Sequence, residues 1–256
     1  MCYEVRALTQ AKAKYLKRFG GDIQDIKKLE QLLEKLHPLY YASGFDHPDL
    51  PVITNETPHE FRMMNWGLIP YWTKSPEDVV RIQNQTLNAR SETVFEKPAF
   101  KESILRRRCL VLVDGFYEHH HKNGKTFPQH LLLKSEEPMT LAGIYDTWRH
   151  DGIERTTFSI VTTRANPLMA RIHNNPKTSE EPRMPVILPP EKERDWLTMD
   201  KMSEEALQKL MIPYEESEMV AYTVPRLKGK EAVGNTEKAI TKHIYQELVT
   251  EQQGLF

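Results

Sequence analysis

The chain is poor in cysteine. Among 256 residues there are two, Cys2 and Cys109. That number excludes a disulfide framework. Nor is there a long apolar run: nothing approaches the roughly 18 consecutive apolar residues of a membrane helix. The opening Met1-Cys2-Tyr3-Glu4-Val5-Arg6 lacks the apolar core of a secretory signal. Charge of one sign is also missing, with Lys plus Arg at 35 against Asp plus Glu at 36 and a net charge of -1. A global attraction to nucleic acid is therefore not available, and any positive surface must be local. These absences predict a cytoplasmic, non-membrane protein, expected to be monomeric, in which thiols stay reduced. A hydrophobic content of 39% is enough for a substantial core.

Cys109 sits in Cys109-Leu110-Val111-Leu112-Val113 and reads as a small buried hydrophobe in a strand. That leaves Cys2 without a structural role. Removal of Met1 would expose at Cys2 an α-amine with a pKa of about 8 beside a thiol of about 8.5. A 1,2-aminothiol condenses with an aldehyde to an imine, and the thiolate then closes a five-membered thiazolidine. On position alone, Cys2 is more often an incidental small residue.

The apolar spacing in 9–36 predicts a helix, with Asp22 as N-cap and Ile26, Leu29, Leu32, Leu33 and Leu36 on one face. Residues 41–60 read as loop with one strand at Val52-Ile53. Strands are predicted over 61–68, 109–118, 127–133, 139–148, 156–163, 184–188 and 219–224, with a hairpin turn at Asn123-Gly124. Helices are predicted over 76–84, 97–104, 165–172, 190–197 and 203–211. Many strands joined by short turns, with irregularly placed helices, indicate an α+β fold with mostly antiparallel pairing, organised as one domain over 1–256.

Several motifs carry chemistry. In Asn88-Ala89-Arg90-Ser91-Glu92-Thr93, an extended backbone puts Asn88 and Arg90 on one face. Asn88 can orient a nucleophile and Arg90 can clamp a phosphate. Glu118 ends an apolar strand, where desolvation suits a carboxylate to proton transfer. His119, His120 and His121 follow directly. Consecutive strand residues point to opposite faces, so the three cannot share one ion, and no metal site is expected. His173 precedes a polar loop and can act as acid or base. In Trp66-Gly67-Leu68-Ile69-Pro70-Tyr71-Trp72, Trp66 reads as core and Trp72 as a surface aromatic able to stack on bases.

Taken in order, these segments resemble the SOS-response-associated peptidase (SRAP) family. The resemblance runs on through Ala142-Gly143-Ile144-Tyr145-Asp146-Thr147-Trp148, Phe158-Ser159-Ile160-Val161-Thr162-Thr163, Ile172-His173 and Arg183-Met184-Pro185-Val186-Ile187-Leu188 to Val233-Gly234-Asn235. It implies a compact α+β domain with a mainly antiparallel, barrel-like sheet and peripheral helices. It also implies processing of abasic sites in single-stranded DNA without a cofactor. Cys2 would be the thiazolidine-forming nucleophile, Asn88 its positioning amide, and Glu118 and His173 the acid/base groups. Arg90 would contact phosphate and Trp72 the bases. Arg164, Arg171, Arg183 and the run Arg106 to Arg108 are further candidate phosphate contacts. Self-reversal and weak lyase activity are candidate companions to crosslinking. An N-terminal-cysteine peptidase or amidase, with His173 as base, uses the same thiol–imidazole pair. A non-catalytic single-strand reader would need neither.

The chain departs from the family pattern at three places. Tyr3 and Glu4 stand where Gly-Arg is common, and Tyr40-Tyr41-Ala42-Ser43-Gly44 stands where Tyr-Asn-Val-Ala-Pro is typical. Residues Asn174 to Pro182 separate His173 from Arg183.

Overall fold

The computed structural model describes residues 2–10, 14–15, 27, 30–31, 33–177, 179–198 and 202–249. Twelve strands run in chain order: β1 (Glu4–Ala7), β2 (Leu39–Ser43), β3 (Asp49–Thr54), β4 (Phe61–Trp66), β5 (Asn88–Arg90) and β6 (Arg108–Val113), then β7 (Gly115–Lys122), β8 (Lys125–Leu133), β9 (Met139–His150), β10 (Ile153–Arg164), β11 (Arg183–Pro185) and β12 (Met219–Thr223). The helices are α1 (Pro76–Gln85), α2 (Lys101–Arg106), α3 (Pro167–Ile172), α4 (Pro190–Leu197), α5 (Glu204–Gln208) and α6 (Gln246–Val249). Among the described residues, no helix is long and apolar enough to cross a membrane.

The strands form two sheets. Five follow the order β12-β8-β7-β1-β2, and every pairing among them is antiparallel. In the other sheet, β10 pairs with β4, β4 with β3, β3 with β6, β6 with β9, and β9 again with β10. That circuit closes a five-stranded barrel, which removes the exposed edges an open sheet would carry. Pairing is antiparallel except where β10 runs parallel to β4 and to β5. The expectation of an α+β fold with a mainly antiparallel, barrel-like sheet therefore holds, the parallel pairings of β10 being the exceptions.

Barrel strands are apolar because both faces are covered. β6 is buried at every position, and Trp66 is fully buried with its Nε1 donating to the Leu87 carbonyl at 2.8 Å. Phe158 stacks on it at 6.3 Å between ring centroids.

Several boundaries differ from the sequence reading. The strand expected over 109–118 breaks at Asp114, whose carboxylate accepts from the Thr9 backbone and hydroxyl and from Tyr15. Its backbone N–H donates to the Arg6 carbonyl at 2.7 Å. The chain thereby leaves the barrel and joins the second sheet as β7. Residues 41–60 hold parts of two strands, β2 and β3, not one. The half-buried tyrosines of β2 gave no apolar alternation to read. The expected helix 97–104 is the shorter α2, and 203–211 is α5 capped by Ser203. The 184–188 strand reduces to β11 plus a single bridge from Ile187 to Leu141. Of the expected 9–36 helix, Lys14, Tyr15, Lys27, Glu30, Gln31 and 33–35 are helical, Thr9, Gln10 and Leu36 are not, and the rest, including Asp22, lies outside the described residues. Asn123-Gly124 does form the β7–β8 turn, with φ of 50° and 73°, as a type I′ turn requires.

Gly115 marks the sheet-to-sheet crossing. A Cβ there would lie 2.6 Å from both His130 Nε2 and the Leu131 carbonyl oxygen, one of them rigid backbone. Gly115→Ala is expected to cost about 1–3 kcal/mol. Urea titration should show this as a lower midpoint, and an unchanged midpoint would refute the close approach.

Candidate functional site

Cys2 stands at the entrance of β1, wedged between the two sheets, and is 1% exposed. Asn88, the first residue of β5, donates from Nδ2 to the Cys2 carbonyl at 2.8 Å. Its own Oδ1 is buried and has no donor among the described residues. Asn88 can hold this position because β5 lies parallel to β10, with Asn88 opposite Ile160. Burial, opposed by the N-terminal charge, helped by the Glu118 carboxylate, opposed by a hydrogen bond from the Glu4 backbone and helped by the Glu4 carboxylate, pushes the Cys2 thiol up to about 12. The resting form is therefore the neutral thiol.

Glu118 lies on β7, and His173 caps the C-terminus of α3. Their side chains are 12% and 15% exposed, and Glu118 Oε2 is 3.4 Å from His173 Nδ1. The same nitrogen lies 3.1 Å from the Arg183 carbonyl oxygen and 3.3 Å from the Arg183 nitrogen, so the start of β11 fixes the ring. α3 is placed by Asn166, which N-caps it by accepting from Met169 N–H at 2.8 Å. Asn88, Glu118 and His173, far apart in sequence, thus gather about Cys2.

The predicted cations divide. Arg90 is 39% exposed at its side chain and pairs with Glu180 at 2.5 Å. Arg164 and Arg183 line a lobe of about 660 Å³ together with Arg90, Glu180 and Glu181. Arg183 is nearly buried, and its guanidinium forks onto Glu92 at 3.2 and 2.7 Å while donating to the Thr162 carbonyl. A second lobe, about 500 Å³, is lined by Tyr3, Trp72, Asn88, Arg90 and Lys97. Arg90 and Thr93 belong to both lobes, so the groove is continuous past Asn88. Trp72 is 43% exposed, with Nε1 donating to the Pro98 carbonyl at 3.3 Å. Arg171 lines neither lobe and faces Glu216 at 3.5 Å.

Arg108 corrects the expectation for the Arg106 to Arg108 run. It is 1% exposed, and its guanidinium donates to the carbonyls of Trp196, Ile104, Leu105 and Thr198. It closes the C-terminus of α4 and cannot reach a phosphate. The three histidines also separate: His119 Nε2 meets Glu4 at 3.0 Å and His120 Nδ1 meets the Arg171 carbonyl at 3.1 Å. Among the described residues, no three His, Cys, Asp or Glu side chains converge as metal ligands would.

Close to Cys2 lies a charged group that the motifs did not single out. Glu4 is 2% exposed and is paired with His119 and with Lys228. Burial works against its charge, but the hydrogen bonds and charges of His119 and Lys228 prevail and hold its carboxyl below the usual range. Its replacement of a cation next to Cys2 was visible in the sequence; its two partners, far along the chain, were not.

Such a closed mixed barrel, with a cysteine at the chain start ringed by Asn, Glu and His at the rim of a groove carrying cations, defines a thiol-centred site built on an α+β barrel. Residues 1–231 match the family model of the SOS response associated peptidases, and the chain belongs to that family. It is 37% identical over 180 residues to the abasic site processing protein YoaM of Bacillus subtilis, covering 70% of this chain and 74% of that one. It is 34% identical over 210 residues to YoqW, another abasic site processing protein of the same organism, covering 80% and 88%. A crystal structure of a protein from Bacteroides thetaiotaomicron superposes with a TM-score of 0.81 at 33% identity, over 95% of this chain and all of that one.

Because folded Glu4 binds its proton more weakly than unfolded Glu4, the pair stabilises the fold above the ordinary carboxylate pKa. That contribution is lost as pH falls through the folded value. Glu4→Gln is expected to cost about 1–3 kcal/mol at neutral pH. The gap in urea midpoint between wild type and variant should narrow as pH is lowered toward about 3, and a pH-independent gap would refute the ionic assignment.

Proposed function

We propose that this protein processes abasic sites in single-stranded DNA by forming a covalent thiazolidine through Cys2 after Met1 is removed. The observation that carries the reading is the convergence of Asn88, Glu118 and His173 on a buried Cys2 at a groove lined by Arg90 and Trp72. The names of the relatives, abasic site processing proteins, support the substrate class.

The chemistry balances without a cofactor. The Cys2 amine attacks the C1′ aldehyde of the ring-opened sugar and forms a C–N bond. The carbonyl oxygen leaves as water, with its proton delivered by Glu118 or His173, and an imine remains. Cys2 Sγ then adds to the imine carbon, the C=N π pair returns to nitrogen, the thiol proton is relayed through Glu118 or His173 to that nitrogen, and the C–S bond closes the ring. Asn88 holds the Cys2 backbone, and its unfilled Oδ1 can accept from the Cys2 amine. Arg90 and Arg164 offer positive charge to phosphates, with Glu180 the competing anion already on Arg90. Trp72 offers a ring face for a base. The acid–base pair can also serve self-reversal, and the imine permits slow elimination of the 3′ phosphate.

Mixing the purified protein with a single-stranded oligonucleotide carrying one abasic site should give a band that survives denaturing electrophoresis. Intact mass should show the adduct only on chains that lack Met1. Cys2→Ala should give no adduct, and Glu118→Gln should slow its formation roughly 100-fold or more. Absence of a wild-type adduct, or an undiminished one from Cys2→Ala, would refute the reading.

A further inference from the structure

Phe45 is a large apolar side chain left half in solvent, at 50% exposure, on one of the more tightly held turns of the molecule. It lies in the single 3-10 turn Gly44–Asp46 that follows β2. Gly44 N–H donates to the Tyr3 carbonyl at 2.7 Å, and His47 N–H closes the turn onto the Gly44 carbonyl at 3.0 Å. Ser43 Oγ caps it by accepting from Phe45 N–H at 3.3 Å. The His47 ring anchors the far side, with Nδ1 2.8 Å from the Trp66 carbonyl oxygen. The ring of Phe45 is therefore presented by a rigid support and is not the end of a loose loop.

Tyr3 backs it. The two ring centroids are 5.0 Å apart and the planes are tilted by 34°. Tyr3 directly follows the nucleophile and lines the same lobe as Asn88, Arg90 and Trp72. Its phenol is raised by burial, then raised by the Glu180 charge and lowered by that of Arg90, and Tyr3 and Arg90 line one lobe. Phe45, Tyr3 and Arg90 thus form a continuous strip: an open aromatic face, a second ring, and a guanidinium. A single-stranded nucleic acid has the matching sequence of parts, a base with a flat π face joined to a phosphate. Stacking on aromatic faces and phosphate pairing are how such strands are held without sequence preference. An apolar peptide would use the rings alone, whereas the phosphate of a nucleic acid can also compete with Glu180 for the Arg90 guanidinium.

We propose that the Tyr3–Phe45 pair is a stacking subsite, separate from Trp72, for the unpaired nucleobase next to the abasic sugar. This assignment rests on the proposed substrate class. It also accounts for the bulky residue at position 3, which fills space beside the nucleophile and turns it into a platform. The strand is then gripped by base contact on this flank of Cys2.

The test uses the full chain and two single strands, one with its abasic site flanked by adenines and one with the site flanked by further baseless spacers. Adduct formation is measured against DNA concentration. Phe45→Ala should raise the half-saturating concentration for the adenine-flanked strand by roughly 5- to 100-fold, and Phe45→Trp should restore it. For the spacer-flanked strand, wild type and Phe45→Ala should coincide. Ile153→Ala, which removes an exposed apolar residue at the opposite end of β10 from Arg164, should change neither. The proposal is overturned if Phe45→Ala leaves the half-saturating concentration unaltered, or raises it equally for both strands as a merely structural lesion would. Fluorescence anisotropy with a labelled, undamaged oligo-adenine strand gives a second readout that needs no covalent step. If wild type forms no adduct, the crosslinking reading fails while the anisotropy comparison still decides the subsite: weaker binding by Phe45→Ala supports it, and equal binding overturns it.

Discussion

Everything else in this molecule depends on β10 being paired along both edges. Over Ile153–Ile160 it is zipped to β9, and its other edge meets β4 at Thr157 and Phe158 and β5 at Ile160 to Thr162. Its last residues then take β11. Backbone donors and acceptors in a buried strand must be satisfied, and here segments from four regions of the chain satisfy them. The parallel pairing with β4 closes the barrel, and the parallel pairing with β5 adds a strand beside it. They also deliver the site, because Asn88 and Arg90 ride on β5, and the backbone that fixes His173 is the start of β11. A strand that completes the core therefore also sets the positions of three of the candidate site residues.

The second sheet contributes the other half. β1 is held between β2 and β7, so the segment that follows Cys2 is a strand paired on both edges. The bond from Asn88 to the Cys2 carbonyl then ties that strand to the barrel. Glu118 comes from β7, immediately beyond the Gly115 crossing, and points to the same place. The site lies on the seam between sheets, and neither sheet alone contains it. Around it, charge is kept in pairs: Glu118 with His173, Glu4 with His119 and Lys228, Arg90 with Glu180, Arg183 with Glu92. Partly buried charges persist when they are paired in this way. This pairing also explains how a net charge of -1 coexists with a groove that holds several arginines.

Legibility in the sequence followed the range of the signal. The apolar run Cys109 to Val113, the Asn123-Gly124 turn, Trp66 as core and Pro-led helices at Pro76, Pro167 and Pro190 are written in neighbouring residues, and they were readable as such. The break at Asp114 was not, because its cause is Thr9 and Tyr15, about a hundred positions away. β2 and β5 were invisible as strands, since short half-polar segments acquire strand character only from their partners. Arg108 looked like one of three surface cations, and nothing local announces that it caps α4. Cys2 and the candidate residues Asn88, Glu118 and His173 were singled out by type and order, and their grouping was carried by the resemblance and not by spacing. The support beneath Phe45 and the partners of Glu4 exist only once distant segments have folded together.

Glu4 has a consequence for the order of bond making in the proposed reaction. Two carboxylates, Glu118 and Glu4, flank a thiol that burial already keeps protonated. A thiolate formed before substrate arrives would lose its hydration in a dry seam and face both carboxylates, a cost that the neighbouring N-terminal charge offsets only in part, so thiol attack on the aldehyde is the disfavoured opening step. An amine needs only to be neutral to attack, and at neutral pH a fraction of it is. The imine that follows is positively charged when protonated, and it would sit where the two carboxylates are. The field that opposes the thiolate therefore favours the iminium, and the thiol can give up its proton as the sulfur reaches an electrophilic carbon. An acidic residue in place of a cation beside Cys2 is, on this account, compatible with the chemistry because the His119 and Lys228 partners moderate its charge without cancelling its direction. The same field makes an acyl-transfer route that starts from a preformed thiolate the harder one for this site.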